Sequence, residues 1–115
     1  MDIEQLQAIA AFIRYGILTA TNQADSGHPT SSLSATELMT ALLFGSFFHY
    51  DADNPQHPNN DRLIFSKGHA SPLFYSLWAA AGKLSEDDLR TYRNFGSKLE
   101  GHPSVDFPYV EAATG

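Results

Sequence analysis

Arg62-Leu63-Ile64-Phe65-Ser66-Lys67-Gly68-His69-Ala70-Ser71 joins a short apolar core to a glycine and then to a long apolar run. Leu63, Ile64 and Phe65 form a bulky apolar triplet of the kind that favours a pleated backbone, so the spacing predicts a strand over 62–66. Residues 71–81 carry Leu73, Phe74, Tyr75, Leu77, Trp78 and three alanines before Gly82, which predicts a helix stopped by glycine. Strand, glycine turn and helix make a βα unit. The expected class is therefore α/β, mostly helical within this stretch, with one clear parallel-sheet strand. In open α/β sheets ligands bind beyond the carboxyl ends of the strands, which is where Gly68-His69 would lie. Ser71 and the free N–H groups of the helix start would suit an anion such as phosphate, with Lys67 adding positive charge. The plainer alternative is that Gly68 allows a tight turn and His69 caps the helix.

On the amino-terminal side, Leu6, Ile9, Ala10, Ile13 and Ile17 recur at helical spacing and predict a helix over 3–22. Residues 25–32 collect Asp, Ser, Gly, Pro and Thr, so a loop is expected there. Pro29 biases His28 away from helical geometry. Ser34 and Glu37 have the spacing of a capping box ahead of Leu38, Met39, Ala41, Leu42, Leu43, Phe44, Phe47 and Phe48. These apolar residues cover nearly the whole circumference of a helix, which predicts burial on most sides. Residues 51–61 read as a polar surface loop within one domain. Ser85 and Asp88 suggest a short capped helix reaching about residue 94, and 96–115 read as irregular. One strand makes no sheet, so residues 1–115 are expected to be an incomplete amino-terminal part of a domain, with no second domain. Either they are the front of a larger α/β protein, or they complete their core against another chain.

With 43% apolar and 12% aromatic residues, a folded chain is expected. The net charge of −6 and only 7 Lys and Arg give no footprint for nucleic acid. No basic segment precedes an apolar one and no apolar run is long enough to span a bilayer, so no membrane partner is expected and a soluble cytoplasmic protein is the default. There is no cysteine for disulfides or thiolate metal sites.

Three of the 5 histidines directly follow glycine, at Gly27-His28, Gly68-His69 and Gly101-His102. Chance pairing would give about a third of one such dipeptide. Glycine lets the backbone turn through conformations closed to other residues, while an imidazole donates or accepts a proton near neutral pH. Three imidazoles can also hold zinc with an open coordination position. However, no two histidines stand at i and i+4 and no carboxylate has short-range ligand spacing beside them, so a metal hydrolase is the weaker reading. His49 and His57 lack the glycine context and are assigned no role.

Four stretches, SGHPTSSLSATELMTALLF at 26–44, NNDRLIFSKGHASPLFYSLWAAAG at 59–82, LEGHPS at 99–104 and EAATG at 111–115, together resemble the amino-terminal, pyrophosphate-binding part of transketolase in order and spacing. The resemblance runs over nearly the whole chain. It implies a thiamine diphosphate enzyme that moves a two-carbon ketol unit from a ketose phosphate to an aldose phosphate. By that resemblance His28 and His102 contact the sugar and are catalytic, His28 moving protons at its hydroxyls. His69 lies by the cofactor diphosphate, Ser31 matches a cofactor contact, and Gly115 begins a glycine turn against the aminopyrimidine ring, while the charge of Lys67 reads as electrostatic support near the diphosphate and not as a catalyst. It further implies a divalent metal, magnesium or calcium, with ligands outside this chain. The implied partners are sugar phosphates, the remainder of the chain or a companion subunit, and a second copy in a homodimer. The family's Gly-Asp-Gly metal segment and its cofactor-activating acid are absent, so this polypeptide alone is expected to be inactive. The alternative is a non-catalytic assembly module.

Overall fold

The protein is described by a computed structural model covering residues 1–114. In chain order it comprises α1 (Ile3–Ala24), α2 (Pro29–Ser34), α3 (Thr36–Phe44), a 3-10 turn (Gly68–Ala70), α4 (Ser71–Ala80) and α5 (Glu86–Leu89). Helix α4 is the hub. Every residue from Ser71 to Ala79 is buried, and α1, α2, α3 and α5 all pack against it. One side of α4 sends Phe74, Tyr75 and Trp78 into an aromatic core with Leu89, Tyr92, Leu99 and Phe107. The other side sends Leu73 and Leu77 against Ile13 and Ile17 of α1 and Met39 of α3. Gly16 lets α1 approach α4 closely, since a Cβ there would come within 2.7 Å of Ser76 Oγ.

Helix α1 begins at the Asp2–Gln5 capping box and ends where Asp25 turns left-handed (φ 49°), two residues beyond the expected stop. The capping box expected at Ser34 and Glu37 does not form. Pro29 instead starts α2 from His28 (φ −126°), so the expected loop contracts to 25–28 and Ser34 spends its hydroxyl on the Ser31 carbonyl. Proline suits the first helical turn, where its missing N–H costs nothing. Helix α5 does carry the Ser85–Asp88 capping box but stops at Leu89, giving way to turns. Residues 96–114 contain no regular element, as read from the sequence.

Two expectations need correction. Residues 62–66 form no strand, and no strand occurs among the described residues, so the parallel-sheet strand of the α/β reading is not supported. A strand is defined by ladder hydrogen bonds to a neighbour, and this segment meets none. It still alternates as a pleat does: Leu63 and Phe65 pack on the cores while Ile64 is exposed. Beside it runs 111–114, tied by an Arg62–Glu111 ion pair at 2.9 Å and by the Thr114 hydroxyl on the Phe65 carbonyl at 3.4 Å. Helix α3 is likewise not buried on most sides. Thr36, Met39 and Thr40 face inward, while Leu38, Leu42 and the following Phe47 are exposed. No helix among the described residues is long and apolar enough to cross a membrane.

Candidate functional site

Each Gly-His pair carries an exposed ring on a buried or half-buried glycine. Gly68 and Ala70 are buried on either side of exposed His69, so the 3-10 turn is rooted in the core and its imidazole is thrust outward. His102 is exposed between half-buried Gly101 and buried Pro103. His28 is exposed at the N-cap of α2, and α2 packs on the 3-10 turn that carries His69.

The three rings come together with His69 in the middle. Its centroid lies 5.0 Å from that of His28 and 5.2 Å from that of His102, with interplanar angles of 82° and 71°. These are edge-to-face contacts. Each neutral imidazole offers one N–H donor and one acceptor, so three adjacent rings make a short row of groups suited to hydroxyl-rich ligands. Among the described residues no group of three or more His, Asp or Glu side chains is placed to hold a metal ion. His49 and His57 take no part; His57 Nδ1 accepts the Asn59 N–H at 3.1 Å within the 51–61 loop.

Ser31 lies half-buried in the first turn of α2 beside His28, and Lys67 is exposed immediately before the 3-10 turn. Together with His69 they present hydrogen-bond donors and positive charge without a carboxylate, a donor set whose chemistry fits a diphosphate. Gly115 lies outside the described residues.

Ser71, expected to help hold an anion, does not face this site. It is fully buried, and its hydroxyl donates to the Gly101 carbonyl at 2.6 Å. Its single proton is thereby used, so the Tyr92 hydroxyl 3.0 Å away is the donor to Ser71. Sequence reading also missed Ser32. Its buried Oγ lies 3.3 Å from the Leu73 N–H and accepts from it, an otherwise orphaned donor at the start of α4, and so docks α2 onto α4 beneath the rings. A signal was present in the chain: Ser32, Thr36 and Thr40 stand four apart and are all buried. The two threonines satisfy their hydroxyls on the carbonyls four residues back, at 3.0 Å and 2.7 Å.

Comparison with known proteins gives a consistent result. The family model described as transketolase, thiamine diphosphate binding domain, matches residues 5–115. Transketolase of Homo sapiens is 43% identical over 117 residues, covering 99% of this chain and 19% of that protein. Transketolase-like protein 2 of Bos taurus is 43% identical over 113 residues, covering 98% of this chain and 18% of its own length. Among solved structures, transketolase of Campylobacter jejuni superposes with a TM-score of 0.89 at 35% identity, over 100% of this chain and 18% of that one. Transketolase of Pichia stipitis, solved with sedoheptulose-7-phosphate, gives 0.89 at 33% identity over 96% of this chain and 16% of its own. The chain thus spans less than a fifth of the length of the relatives it matches.

Proposed function

Because the chain belongs to the transketolase family and matches its thiamine diphosphate-binding domain, we propose that it supplies the diphosphate-side surface of an enzyme that moves a two-carbon ketol unit from a ketose phosphate to an aldose phosphate. The observation that carries this reading is the meeting of His28, His69 and His102 from three separate segments on one exposed face. A relative of similar fold solved with a seven-carbon ketose phosphate supports the substrate class.

In this proposal His69 lies at the cofactor diphosphate with Lys67 as electrostatic support, and Ser31 contacts the cofactor; the Gly115 expectation falls outside the described residues. When bound, thiamine diphosphate supplies the stabilisation of carbanion character that the protein's own groups lack. His102 hydrogen-bonds the transferred ketol unit and His28 takes up and returns protons at the sugar hydroxyls. Bond cleavage in the donor requires a hydroxyl to lose its proton, and addition to the acceptor requires one to be given back. Held by two rings at once, the sugar is also fixed in the orientation that reaction needs. The divalent ion that the family implies, magnesium or calcium, takes its ligands in this proposal from outside this chain. The proposed setting is a cytoplasmic homodimer in which the rest of the chain, or a companion subunit, completes the site.

The test is a split between substrate and cofactor. In the holoenzyme His102→Ala raises KM for the ketose phosphate while thiamine diphosphate affinity stays within about twofold. His69→Ala weakens cofactor binding by about 10- to 100-fold, the range for a hydrogen bond to a charged group. Equal losses of donor and cofactor binding in both variants would overturn the assignment.

A further inference from the structure

His102 has no regular element to hold it, yet the three carbonyls just before it are each fixed by a different donor. The Arg93 N–H donates to the Leu99 carbonyl at 2.9 Å, the Tyr75 hydroxyl to the Glu100 carbonyl at 2.6 Å, and the Ser71 hydroxyl to the Gly101 carbonyl at 2.6 Å. Two of these donors, Ser71 and Tyr75, stand four apart on α4 and are fully buried. Such a pair lies on one helical face. Ser71 follows the 3-10 turn that presents His69, so one rigid stretch both carries His69 and grips the segment that carries His102.

We infer that Ser71 and Tyr75 are positioning residues that set the His102 ring against His69, and so fix the spacing between the ketol-binding and diphosphate-binding groups of the proposed site. The inference rests on the reading of that site given above. Neither side chain reaches the exposed face; they act through the backbone of residues 100 and 101. Tyr92 makes the grip directional. With the Ser71 proton on the Gly101 carbonyl, the Tyr92 hydroxyl donates to Ser71 Oγ and completes a directed chain of hydrogen bonds. The Tyr75 phenol, protonated at neutral pH in any case, is pushed further up by burial, with the nearby Tyr92 and Glu100 adding to the effect. Both donors are buried, and Tyr75 is packed in an aromatic core against Tyr92 and Phe107, so the donor ends of the two bonds are held in place.

The experiment uses the holoenzyme with Tyr75→Phe, Ser71→Ala and both together, read by crystal structure and by kinetics. Tyr75→Phe keeps the ring and deletes one donor, so it separates the bond from the packing. The expected result is a His69–His102 separation that widens in the double variant, while the His28–His69 contact stays. KM for the ketose phosphate should rise about five- to tenfold, the value of one ordinary hydrogen bond, with thiamine diphosphate affinity unchanged. Unmoved rings in the double variant would overturn the inference, as would parallel losses of cofactor and donor affinity, which signal general unfolding. Should the rings part without any change in donor KM, the positioning role stands, and the contact between His102 and the ketol unit falls instead.

Discussion

Gly27 carries φ +111°, a conformation that side chains with a Cβ rarely adopt, and a Cβ there would also meet Thr21 Cγ2 at 3.0 Å. Both penalties fall on the residue that swings the chain from α1 into His28. Gly27→Ala should therefore cost about 1–2 kcal/mol of stability, from the left-handed backbone alone, and shift His28 away from His69. Denaturant midpoints check the first and a crystal structure the second; an unchanged midpoint would show the turn tolerates a side chain. The other two Gly-His pairs work differently. Gly68 and Gly101 lie outside the positive-φ region. Gly101 instead makes room for Arg93, whose Nη1 would be 2.7 Å from a Cβ, a contact that a flexible side chain can relieve. The repeated dipeptide thus marked the convergent residues correctly, but the expected backbone reason holds for only one of the three. Residue types point to chemistry; which glycine is bent left-handed depends on neighbours distant in sequence.

At the scale of elements, α1 and α4 formed close to their expected limits, because apolar spacing is a local property, whereas the Ser34–Glu37 box did not form and α5 stopped at Leu89, short of residue 94. What was illegible was set between elements. The 62–66 segment has a strand's alternation, but a ladder needs a second backbone, and composition carries no information about whether one is adjacent. Ser32 carried a local signal in its spacing of four from Thr36 and Thr40, but its partner, the Leu73 N–H, lies 41 residues away and was not legible. Removing that acceptor leaves a buried donor at the root of α4. Ser32→Ala should cost about 1–3 kcal/mol, the penalty of an unsatisfied buried N–H. Ser31→Ala, half-buried and on the site side, should leave stability nearly unchanged. Thermal melts of the two variants side by side decide it, and equal midpoints would remove Ser32 from its docking role.

The 51–61 loop is held to the end of α4 by an ion pair between Asp53 and Lys83. Hydrogen bonding to Lys83, followed by its charge, lowers the Asp53 pKa, and the same partner raises that of Lys83. A carboxyl whose folded pKa is depressed contributes stability above its unfolded value and loses it as pH falls through the folded one. Asp53 is largely exposed, so the effect is small and salt-sensitive. Asp53→Asn should lower the denaturant midpoint slightly near neutral pH. That deficit should shrink towards nothing as the pH drops below the ordinary carboxylate range. A deficit constant across the range would mean the pair does not clasp the loop.

For the whole molecule, the balance of buried and exposed apolar surface is uneven. Helix α4 is enclosed on all sides, but α1 exposes Phe12, Tyr15 and Leu18, spaced three apart, and α3 with its continuation exposes Leu38, Leu42 and Phe47. Residues three and four apart share a helical face, so Phe12, Tyr15 and Leu18 on α1 and Leu38 with Leu42 on α3 form patches, while Phe47 adds exposed apolar surface just beyond the end of α3. Contiguous apolar patches on a free surface drive association. The net charge of −6 opposes it through repulsion between copies, and salt screens that repulsion. The 115-residue chain should therefore associate as concentration rises, and more so at high salt, whereas Leu38→Glu combined with Phe47→Glu should reduce it by removing apolar surface and adding charge. Sedimentation velocity across a concentration and salt series gives the answer. Sedimentation as a monomer throughout, with a sharp melt independent of concentration, would show that these faces need no cover, and that the core around α4 is sufficient by itself.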